Sequence, residues 1–365
     1  MRKGSWQGNV LIGETLVPGI DSFLARRRRT EGDAFKLVTN SGRSFNGAKV
    51  YGQGFVLTPE SAHELIKNDP RNGDVLRQYL TGEDLQSRPD QSPSRWVINF
   101  FDWPIEQAME YGDLFDTIER LVRPEREKLI GRNPTADDRG RHWWRYGRRA
   151  DGLARALNSS SLAFARSRVS SNHTPSRYSL AWVPSEATVV FVVTDWAEFS
   201  VIQSALHEVW IWRQASSMRA DVRYTPSDCF ETFPFPPTLP LGDTGKTLHD
   251  YRAERTRARN EGLTALTNRI NDPKQNDDDI VRLRALMVQM DTEVAAAYGW
   301  DDLDLEHGFH DTRIGRRFTI CEAAREEVID RLLELNHERY DEEVRQGLHA
   351  KKGGKAKAKK SVAPS

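Results

Sequence analysis

Residues 216–236 read SSMRADVRYTPSDCFETFPFP, and this stretch decides how the chain is organised. Its first half is polar and carries arginines, whereas its second half alternates aromatic residues with prolines. Each proline restricts its own φ angle and biases the preceding residue away from helix. The continuation to residue 240 is therefore predicted to be extended and stiff. We expect this hinge, residues 234–240, to separate two parts of the chain that differ in secondary structure.

The part of the chain before the hinge mixes short apolar runs with loops. Some runs have the pattern of buried strands, and others repeat at helical spacing. The predicted strands are Arg95–Phe101, Leu162–Val169, Tyr178–Val183 and Thr188–Val193, and the predicted helices are Leu114–Val122 and Ile202–Trp210. Because strands and helices do not alternate regularly, the pattern favours an α+β fold over a doubly wound sheet. We predict one mixed α/β domain over residues 1–240.

Beyond the hinge, apolar residues recur at helical spacing. One stripe runs from Ile280 to Val294 and is closed by Gly299, and another runs from Val328 to Leu335. This spacing predicts an all-helical C-terminal domain over residues 241–345. The last residues, 346–365, are rich in lysine and low in complexity, which predicts a disordered tail.

The composition is typical of a cytoplasmic globular protein with two domains. The chain has 365 residues, and its 53 Lys and Arg residues balance 53 Asp and Glu residues. No stretch approaches the roughly 20 apolar residues that a membrane-spanning helix needs. Two cysteines, Cys229 and Cys321, cannot build a disulfide framework or a zinc site alone, and the nine histidines are scattered. We therefore expect no membrane association and no metal site.

Two basic segments are the positive signals for function. Arginines occupy positions 26–29, and residues 139–149 read RGRHWWRYGRR. Arginines interleaved with aromatic residues suit contact with phosphates together with stacking on sugars or bases. The alternative is structural, in which the segment is a solvated basic face or its two tryptophans anchor the core, and both interpretations stay open. Nucleic-acid phosphates are predicted to be held by Arg141, Arg145, Arg148 and Arg149.

Polar stretches with serines lie nearby, at residues 158–161 and 166–173. Side chains of this kind donate hydrogen bonds to phosphates and to base edges. We therefore predict that Arg166 and Arg168 also contact nucleic acid.

The segment Ser216–Tyr224 is the sharpest candidate site. An arginine that reads a base needs a rigid support, because bidentate contact with guanine tolerates little misplacement. A helix before this segment and prolines after it would supply that support. Asp221 could accept from cytosine, orient Arg223, or form a structural ion pair with an arginine. The residues predicted to contact nucleic acid here are Ser217, Arg219, Arg223 and Tyr224.

The aromatic residues that follow this segment are predicted to have a structural role. Phe230, Phe233 and Phe235 are expected to pack in the core and at the hinge. Cys229 is expected to be a small buried residue, because no histidine partner for a nucleophile is evident.

Several blocks of the sequence, in order, resemble a known family. The run 216–236 resembles the junction between the target-recognition domain and the C-terminal helical domain of bacterial adenine-specific DNA methyltransferases. These include the fused type IIG and IIL (MmeI-like) restriction-modification enzymes and related methyltransferases of phage-defence systems. The resemblance covers nearly the whole chain through the blocks Asn40–Gly47, Gly52–Thr58, Tyr79–Leu85, Gln91–Phe100, Gln203–Trp210, Met290–Trp300 and Leu332–Asn336.

The resemblance implies that this chain recognises a sequence in double-stranded DNA. In the family, a separate domain binds AdoMet, flips an adenine and methylates its N6 atom, while the recognition domain fixes the target sequence. The chain is thus expected to be the DNA sequence-recognition portion of a site-specific adenine-N6 methyltransferase of a restriction-modification or phage-defence system. We expect AdoMet to belong to the catalytic domain and not to this chain.

The motifs that methyl transfer requires were sought and do not match. A flipped adenine needs an Asn/Asp/Ser-Pro-Pro-aromatic motif, but Pro236-Pro237 follows Phe235 and precedes Thr238. The Gly-x-Gly run Gly52-Gln53-Gly54 leads into an apolar strand-like stretch instead of a helix, unlike a cofactor-binding turn. A nuclease core of the Pro-Asp…Asp/Glu-x-Lys type is also not visible. We therefore predict no catalytic residue and no cofactor-binding residue in this chain.

Relative to the family, the sequence begins where the catalytic domain would already have ended. The expected explanations are a truncated reading frame, a split enzyme with a separate methyltransferase catalytic subunit, or a specificity-subunit analogue. The rival hypothesis is a non-catalytic remnant or scaffold that binds only a protein partner, through an apolar face near residues 1–25. A complete enzyme with unrecognisable motifs is the third alternative.

Overall fold

The computed structural model describes residues 6–12, 15–20, 32–158, 160, 162–218, 221–240 and 242–350. The strands are β1 Trp6–Ile12, β2 Thr15–Ile20, β3 Ser44–Asn46, β4 Val56–Leu57, β5 Leu76–Leu80, β6 Arg95–Ile98, β7 Leu162–Ser167, β8 Val169–Ser170, β9 Ser176–Arg177, β10 Val183–Pro184, β11 Thr188–Val193, β12 Ser216–Met218, β13 Asp221–Arg223, β14 Gly308–Thr312 and β15 Gly315–Thr319. The helices are α1 Pro59–Asn68, α2 Gly82–Ser87, α3 Ile105–Met109, α4 Gly112–Leu121, α5 Arg123–Glu127, α6 Pro134–Arg141, α7 Asp151–Leu157, α8 Trp196–Gln203, α9 Ala205–Gln214, α10 Thr244–Arg259, α11 Leu263–Asn271, α12 Asp278–Ala297 and α13 Glu322–Arg345. Within these ranges, every helix is too short or too polar to span a lipid bilayer.

The strands form several small sheets, and the helices pack around them. One sheet has the order β10-β5-β6-β4, a second β3-β11-β7-β9, and a third β12-β13-β8. The β10–β5 pair is parallel and the other ladders of these three sheets are antiparallel. Segregated helices and mainly antiparallel sheets are the mark of an α+β fold. The predicted fold class is therefore confirmed.

The central pair β7 and β11 is buried on both faces, because helices and other strands cover each side. Along β11, alternate side chains enter different clusters of the core: Phe191 packs with α9 and its neighbours, whereas Val190 packs with α2 and α7. A strand covered on both sides shows a continuous apolar run in its sequence. This explains why strands within Leu162–Val169 and at Thr188–Val193 could be predicted. The strand predicted over Arg95–Phe101 is shorter, β6, and is buried only at Val97 and Ile98.

Two predicted elements before the hinge are wrong in part. Residues Tyr178–Val183 do not form a strand but mainly a tight loop, in which the buried hydroxyl of Tyr178 donates to the carbonyl oxygen of Trp182 at 2.5 Å. The helix predicted over Ile202–Trp210 is broken into α8 and α9 by Ser204. Ser204 has an extended backbone, and its hydroxyl accepts a hydrogen bond from the backbone N–H of His207. This is an N-terminal cap, and it starts a new helix.

The part after the hinge was predicted to be all-helical. This prediction is wrong, because the part contains the hairpin β14–β15. The hairpin reverses at Arg313 and Ile314, and the next residue, Gly315, has a φ angle of +98° that favours glycine. Phe309 and Phe318 pair across it, and the guanidinium of Arg284 lies 4.8 Å from the ring of Phe309. Charged residues surround these two aromatics in the sequence, so no alternating apolar pattern indicated a strand. Residues 346–350 of the predicted disordered tail form a turn after α13, and residues 351–365 lie outside the described residues.

The hinge packs against the C-terminal helices instead of running free between two domains. Tyr298 donates a hydrogen bond from its hydroxyl to the carbonyl oxygen of Pro234 at 2.8 Å. The predicted packing of Phe230, Phe233 and Phe235 is confirmed, because all three join the largest cluster of the core. That cluster also contains residues from β7, β11, α9, α12 and α13, so the two parts of the chain share one core. Cys229 is buried in it as predicted, and burial raises its thiol pKa to about 12.

Two buried asparagines tie the segment Phe35–Asn40 to the rest of the fold. Asn336 of α13 accepts from the N–H of Phe35 and donates to the carbonyl oxygens of Phe35 and Thr232, each within 2.8 Å. Asn40 donates to the carbonyl oxygens of Phe230 and Phe233 at 3.2 and 2.7 Å. Each amide satisfies backbone groups that lie far apart in the sequence.

Replacing Asn336 with Ala is expected to lower the free energy of unfolding by about 3 kcal/mol, because several buried backbone groups lose their partners. Urea unfolding measures this change. Asn68→Ala, at an exposed position at the end of α1, is the control and is expected to stay within about 0.5 kcal/mol of the parent protein. Equal stability of the two variants would contradict this account.

Candidate nucleic-acid interface

The sheet β12-β13-β8 places Arg223 on the surface. Arg223 pairs with Ser216 on one side and with Val169 on the other, so its backbone is held by both neighbouring strands. Successive side chains of a strand point to opposite faces. Val222 is accordingly buried in the core, whereas Asp221 and Arg223 are exposed. The predicted rigid support for Arg223 is therefore present, and it comes from strand pairing.

Arg168 and Arg148 lie close to Arg223. Burial lowers the pKa of Arg168, and the positive charges of Arg223 and Arg148 lower it further. The guanidinium of Arg168 makes one long hydrogen bond, of 3.5 Å, to the carbonyl oxygen of Glu186. Arg148 is exposed, and its backbone pairs with Lys49 in both directions at 2.8 and 3.1 Å. We call the surface formed by Arg148, Arg168 and Arg223 the arginine surface.

The remaining arginines of the 139–149 segment are divided between the surface and the fold. Arg141 is exposed in the last turn of α6. Arg145 donates twice to the carbonyl oxygen of Trp103, at 3.1 and 2.7 Å, so its guanidinium is used inside the fold. Arg149 forms an ion pair with Asp151 at 3.0 Å and lies 3.7 Å from Asp102. Of the four predicted phosphate contacts, Arg141 and Arg148 are therefore the most accessible.

The tryptophans of this segment belong to the core. Trp143 and Trp144 are both buried, and they meet edge to face with their ring centroids 5.9 Å apart. The indole N–H of Trp144 donates to the carbonyl oxygen of Trp103 at 3.0 Å. Of the two interpretations that the sequence left open, core packing is the correct one.

Two predicted DNA contacts are wrong because the side chains are buried. Arg166 is only 2% exposed, and its guanidinium donates to the ring of His173 and to the carbonyl oxygens of Ser167 and Asn172, between 2.8 and 3.3 Å. Tyr224 is fully buried, and the Arg166 guanidinium lies 5.0 Å from its ring centroid. A nucleic acid outside the protein cannot reach either group.

Two other predicted contacts cannot be placed. Arg219 lies outside the described residues. Ser217 is the middle residue of β12 and pairs with Val222 through its backbone, and its side chain is not among those described. The early arginines 26–29 also lie outside the described residues. The rival hypothesis placed an apolar face near residues 1–25, whose side chains are not described either.

The Gly-x-Gly turn has a packing role. Residues Gln53–Phe55 form a short 3-10 helix, and β4 follows directly. A Cβ atom on Gly54 would lie 2.6 Å from the Cβ of Leu121, so glycine is needed for close approach to α4. This turn does not fit a cofactor phosphate, because a helix does not start from it. Among the described residues, no group of histidine, cysteine or carboxylate side chains could hold a metal ion.

Comparison with known families shows which family the chain belongs to. A model of the MmeI target recognition domain matches residues 39–237, which is more than half of the chain. The chain belongs to this family. The match includes the arginine surface and ends within the proline hinge.

A solved structure shares the fold over a wider range. It is that of the type IIL restriction-modification enzyme MmeI in complex with DNA, with a TM-score of 0.62 at 16% sequence identity. The similarity covers 90% of this chain and 39% of the MmeI chain, so this chain spans less than half of that protein. No curated protein matches the sequence.

Three histidines are buried in the described part of the protein, two within the matched residues 39–237 and His249 beyond them on α10. The Nε2 atom of His173 lies 2.6 Å from the carbonyl oxygen of Ile202, and its Nδ1 atom lies 2.8 Å from Arg166. His173 therefore donates from Nε2 and accepts at Nδ1, which is the neutral tautomer. Burial is the main cause that keeps the pKa of His173 well below its usual value, and that lowers the pKa of His207 to about 3 and of His249 to about 4.

The described chain also encloses a cavity of about 690 Å³ between α9, the C-terminal helices and the hairpin β14–β15. Glu208 lines it, and burial raises the pKa of its carboxyl group to about 7. Asp291 accepts from the backbone N–H of Ala205 at 2.8 Å and lies 2.9 Å from the imidazole of His307. The cavity wall is mostly apolar, and the arginine surface does not contribute to it.

Arg166→Ala is expected to lower the free energy of unfolding by about 3 kcal/mol, since His173 and two backbone carbonyls would lose their buried donor. Arg223→Ala, which removes an exposed guanidinium, is the matched control and is expected to change it by less than about 0.5 kcal/mol. Chemical unfolding of both variants checks the assignment. A larger loss from Arg223→Ala than from Arg166→Ala would reverse the two roles.

The buried histidines are expected to make the protein less stable in acid. The unfolded chain binds their protons below about pH 6.5, but the folded chain does not until the pH approaches the lowered pKa values. Each histidine then removes up to about 1.4 kcal/mol per pH unit as the pH falls below 6.5. Glu208 acts in the opposite direction between about pH 4.5 and 7, because its protonated form is favoured in the folded state.

Unfolding measured in urea between pH 7 and pH 5.5 is expected to show a net loss of stability, since three histidines oppose one carboxyl group. His249→Leu should make this dependence shallower. A protein that gains stability on acidification in this window would contradict the assignment.

Proposed function

We propose that this chain is the DNA sequence-recognition portion of a site-specific adenine-N6 DNA methyltransferase of a restriction-modification or phage-defence system. The observation that carries the proposal is the arginine surface, in which arginines from three separate segments meet on one exposed face of an MmeI-family recognition domain. MmeI itself, whose fold this chain shares, has been solved in complex with DNA.

The geometry supports different roles for the three arginines. Arg223 projects from a short strand that is paired on both sides, so its guanidinium starts from a fixed backbone and suits a base edge in a groove. Arg148 lies in a loop beside this strand and suits a phosphate. Arg168 lies between them, and the repulsion from both neighbours is relieved when an anion binds.

Methyl transfer is assigned to a catalytic domain outside this chain. That domain would bind AdoMet and hold the flipped adenine, either in a longer protein or as a separate catalytic subunit. The chain spans 39% of the MmeI chain, which leaves room in that architecture for a catalytic part. The residues described here would supply the choice of sequence and the orientation of the duplex.

A salt titration tests the proposal first. The purified chain is mixed with random-sequence duplex DNA, and the binding constant is measured between about 50 and 200 mM salt. With about five phosphates contacted by Arg, the slope of the log–log plot is expected to be about −4.5. No binding at the lowest salt would count against autonomous DNA recognition.

Arg223→Ala is expected to relax sequence preference at one base pair, by about 1–3 kcal/mol, because bidentate contact with a base is lost. Selection from a pool of randomised duplexes, carried out with the parent chain and the variant, measures this effect. Arg257→Ala, at an exposed position on α10, is the control and should select the parent sequence. If Arg223→Ala selects the same sequence with the same preference, Arg223 does not read a base.

Arg148→Ala is expected to weaken binding to all sequences alike and to reduce the magnitude of the salt slope by about 0.9, the value of one phosphate contact. The same titration, repeated on a selected and an unselected duplex, provides the measurement. A change in preference between the two duplexes would show that Arg148 reads sequence instead.

A further inference from the structure

Tyr51 has a backbone conformation that a tyrosine seldom adopts. Its φ angle is +51°, and its side chain is 40% exposed. Left-handed backbone at a bulky residue costs free energy and persists only where the surroundings impose it. Residues of this kind cluster at functional sites.

A buried arginine imposes this conformation. Arg126 of α5 is only 3% exposed, and its guanidinium donates to the carbonyl oxygen of Tyr51 at 3.0 and 2.7 Å and to that of Val50 at 2.7 Å. Burial lowers the pKa of Arg126 to about 10, and the nearby positive charge of Arg139 lowers it further. The following residue, Gly52, has a φ angle of +137° that only glycine adopts readily.

Gly147 fixes where the ring of Tyr51 lies. A Cβ atom on Gly147 would come 2.2 Å from the Cδ2 atom of Tyr51, so the ring rests on bare backbone. One side of the ring is thus supported by the protein while the exposed part faces outward. A strained loop, a buried cation and a glycine therefore combine to present an aromatic ring at the surface.

Cations surround this ring and connect it to the arginine surface. The ammonium of Lys49 lies 4.5 Å and the guanidinium of Arg139 lies 4.9 Å from the ring centroid. Lys49 pairs through its backbone with Arg148, and its ammonium lies 3.1 Å from the carboxylate of Glu186. Glu186 is also the residue that Arg168 contacts through its backbone carbonyl. Glu186 therefore joins the region of Tyr51 to the arginine surface, and its carboxylate, paired with Lys49, is an acidic group within these basic residues.

We propose that Tyr51 contacts duplex DNA beside the stretch that β13 reads, with its ring packed against a nucleotide and with Lys49 and Arg139 at the flanking phosphates. Arg126 is a positioning residue, because it holds the backbone of Tyr51 and thereby the place of the ring. The inference rests on the proposed function, because it extends the same DNA-binding surface. An aromatic ring between cations binds single-stranded nucleic acid by stacking and charge together, and on a paired duplex such a ring can pack against a sugar while the cations meet the phosphates.

A salt titration measures the contact made by the ring and the contacts made to phosphates separately. A stacking contact is largely independent of salt, whereas each phosphate contact contributes to the slope. Tyr51→Asn removes the ring but keeps a residue type that tolerates the left-handed backbone, so the variant is expected to fold. We expect it to bind random duplex about tenfold more weakly at every salt concentration, with an unchanged slope.

Matched variants complete the experiment. Tyr51→Phe keeps the ring and should bind within about threefold of the parent. Lys49→Met and Arg139→Met should each reduce the magnitude of the slope by about 0.9. Phe35→Ala removes a ring with 41% exposure that packs against α13, and it should leave affinity and slope unchanged. Gly147→Ala should displace the Tyr51 ring and weaken binding as Tyr51→Asn does.

The outcomes distinguish the failure of this inference from the failure of the proposed function. If the parent chain does not bind duplex DNA, the proposed function fails. If the parent binds and Tyr51→Asn binds equally well, Tyr51 makes no contact and the inference is overturned. If Tyr51→Asn changes the slope and not the salt-independent affinity, the ring serves only to arrange the cations, which also overturns it. Weaker binding by Tyr51→Asn with the parent slope, rescued in Tyr51→Phe, supports it.

Discussion

The buried guanidinium of Arg166 is the interaction on which the candidate interface depends. It lies against the ring of Tyr224, directly after β13, and donates to His173 in the loop that follows β8. The hydroxyl of Tyr224 in turn lies 3.2 Å from the imidazole of His207 on α9. A buried cation requires partners for its donors, and here those partners are Ser167 at the end of β7 and Asn172 and His173 in the loop that follows β8. These buried contacts hold the chain next to β13 and thereby the position of Arg223 at the surface.

The interface divides its arginines between two tasks. Arg126, Arg145 and Arg166 donate mainly to backbone carbonyls and hold loops in place. Arg148, Arg168 and Arg223 lie above them with few internal partners, so their charge is presented outward. The planar guanidinium suits both tasks, because it can satisfy several carbonyls at once or meet an anion side by side. The equal number of acidic and basic residues in the whole chain conceals this local concentration of positive charge.

The sequence predicted those features that a continuous local pattern encodes. The apolar run of β11 and the helical stripe of α12 were recognised because burial dictates residue type at each position. Arg166 was predicted to contact nucleic acid because it lies in a polar stretch with serines, and only tertiary structure brings its buried partners together. The hairpin β14–β15 was missed because its few apolar residues give no alternating pattern. Tyr51 was missed because a positive φ angle leaves a trace only in the neighbouring glycine.

The shared core has a consequence for how such domains can be recombined. Val294 and Tyr298 of the C-terminal helices pack in the same cluster as Phe191 and Trp210 of the recognition half. A chimaera joined at the proline segment would set two foreign surfaces against each other at the centre of the molecule, and mismatched core packing is destabilising. To keep this core intact, relatives would have to exchange the residues before the hinge together with the C-terminal helices that pack against them. The exposed side chains at positions 221 and 223 lie outside this constraint and can vary one at a time.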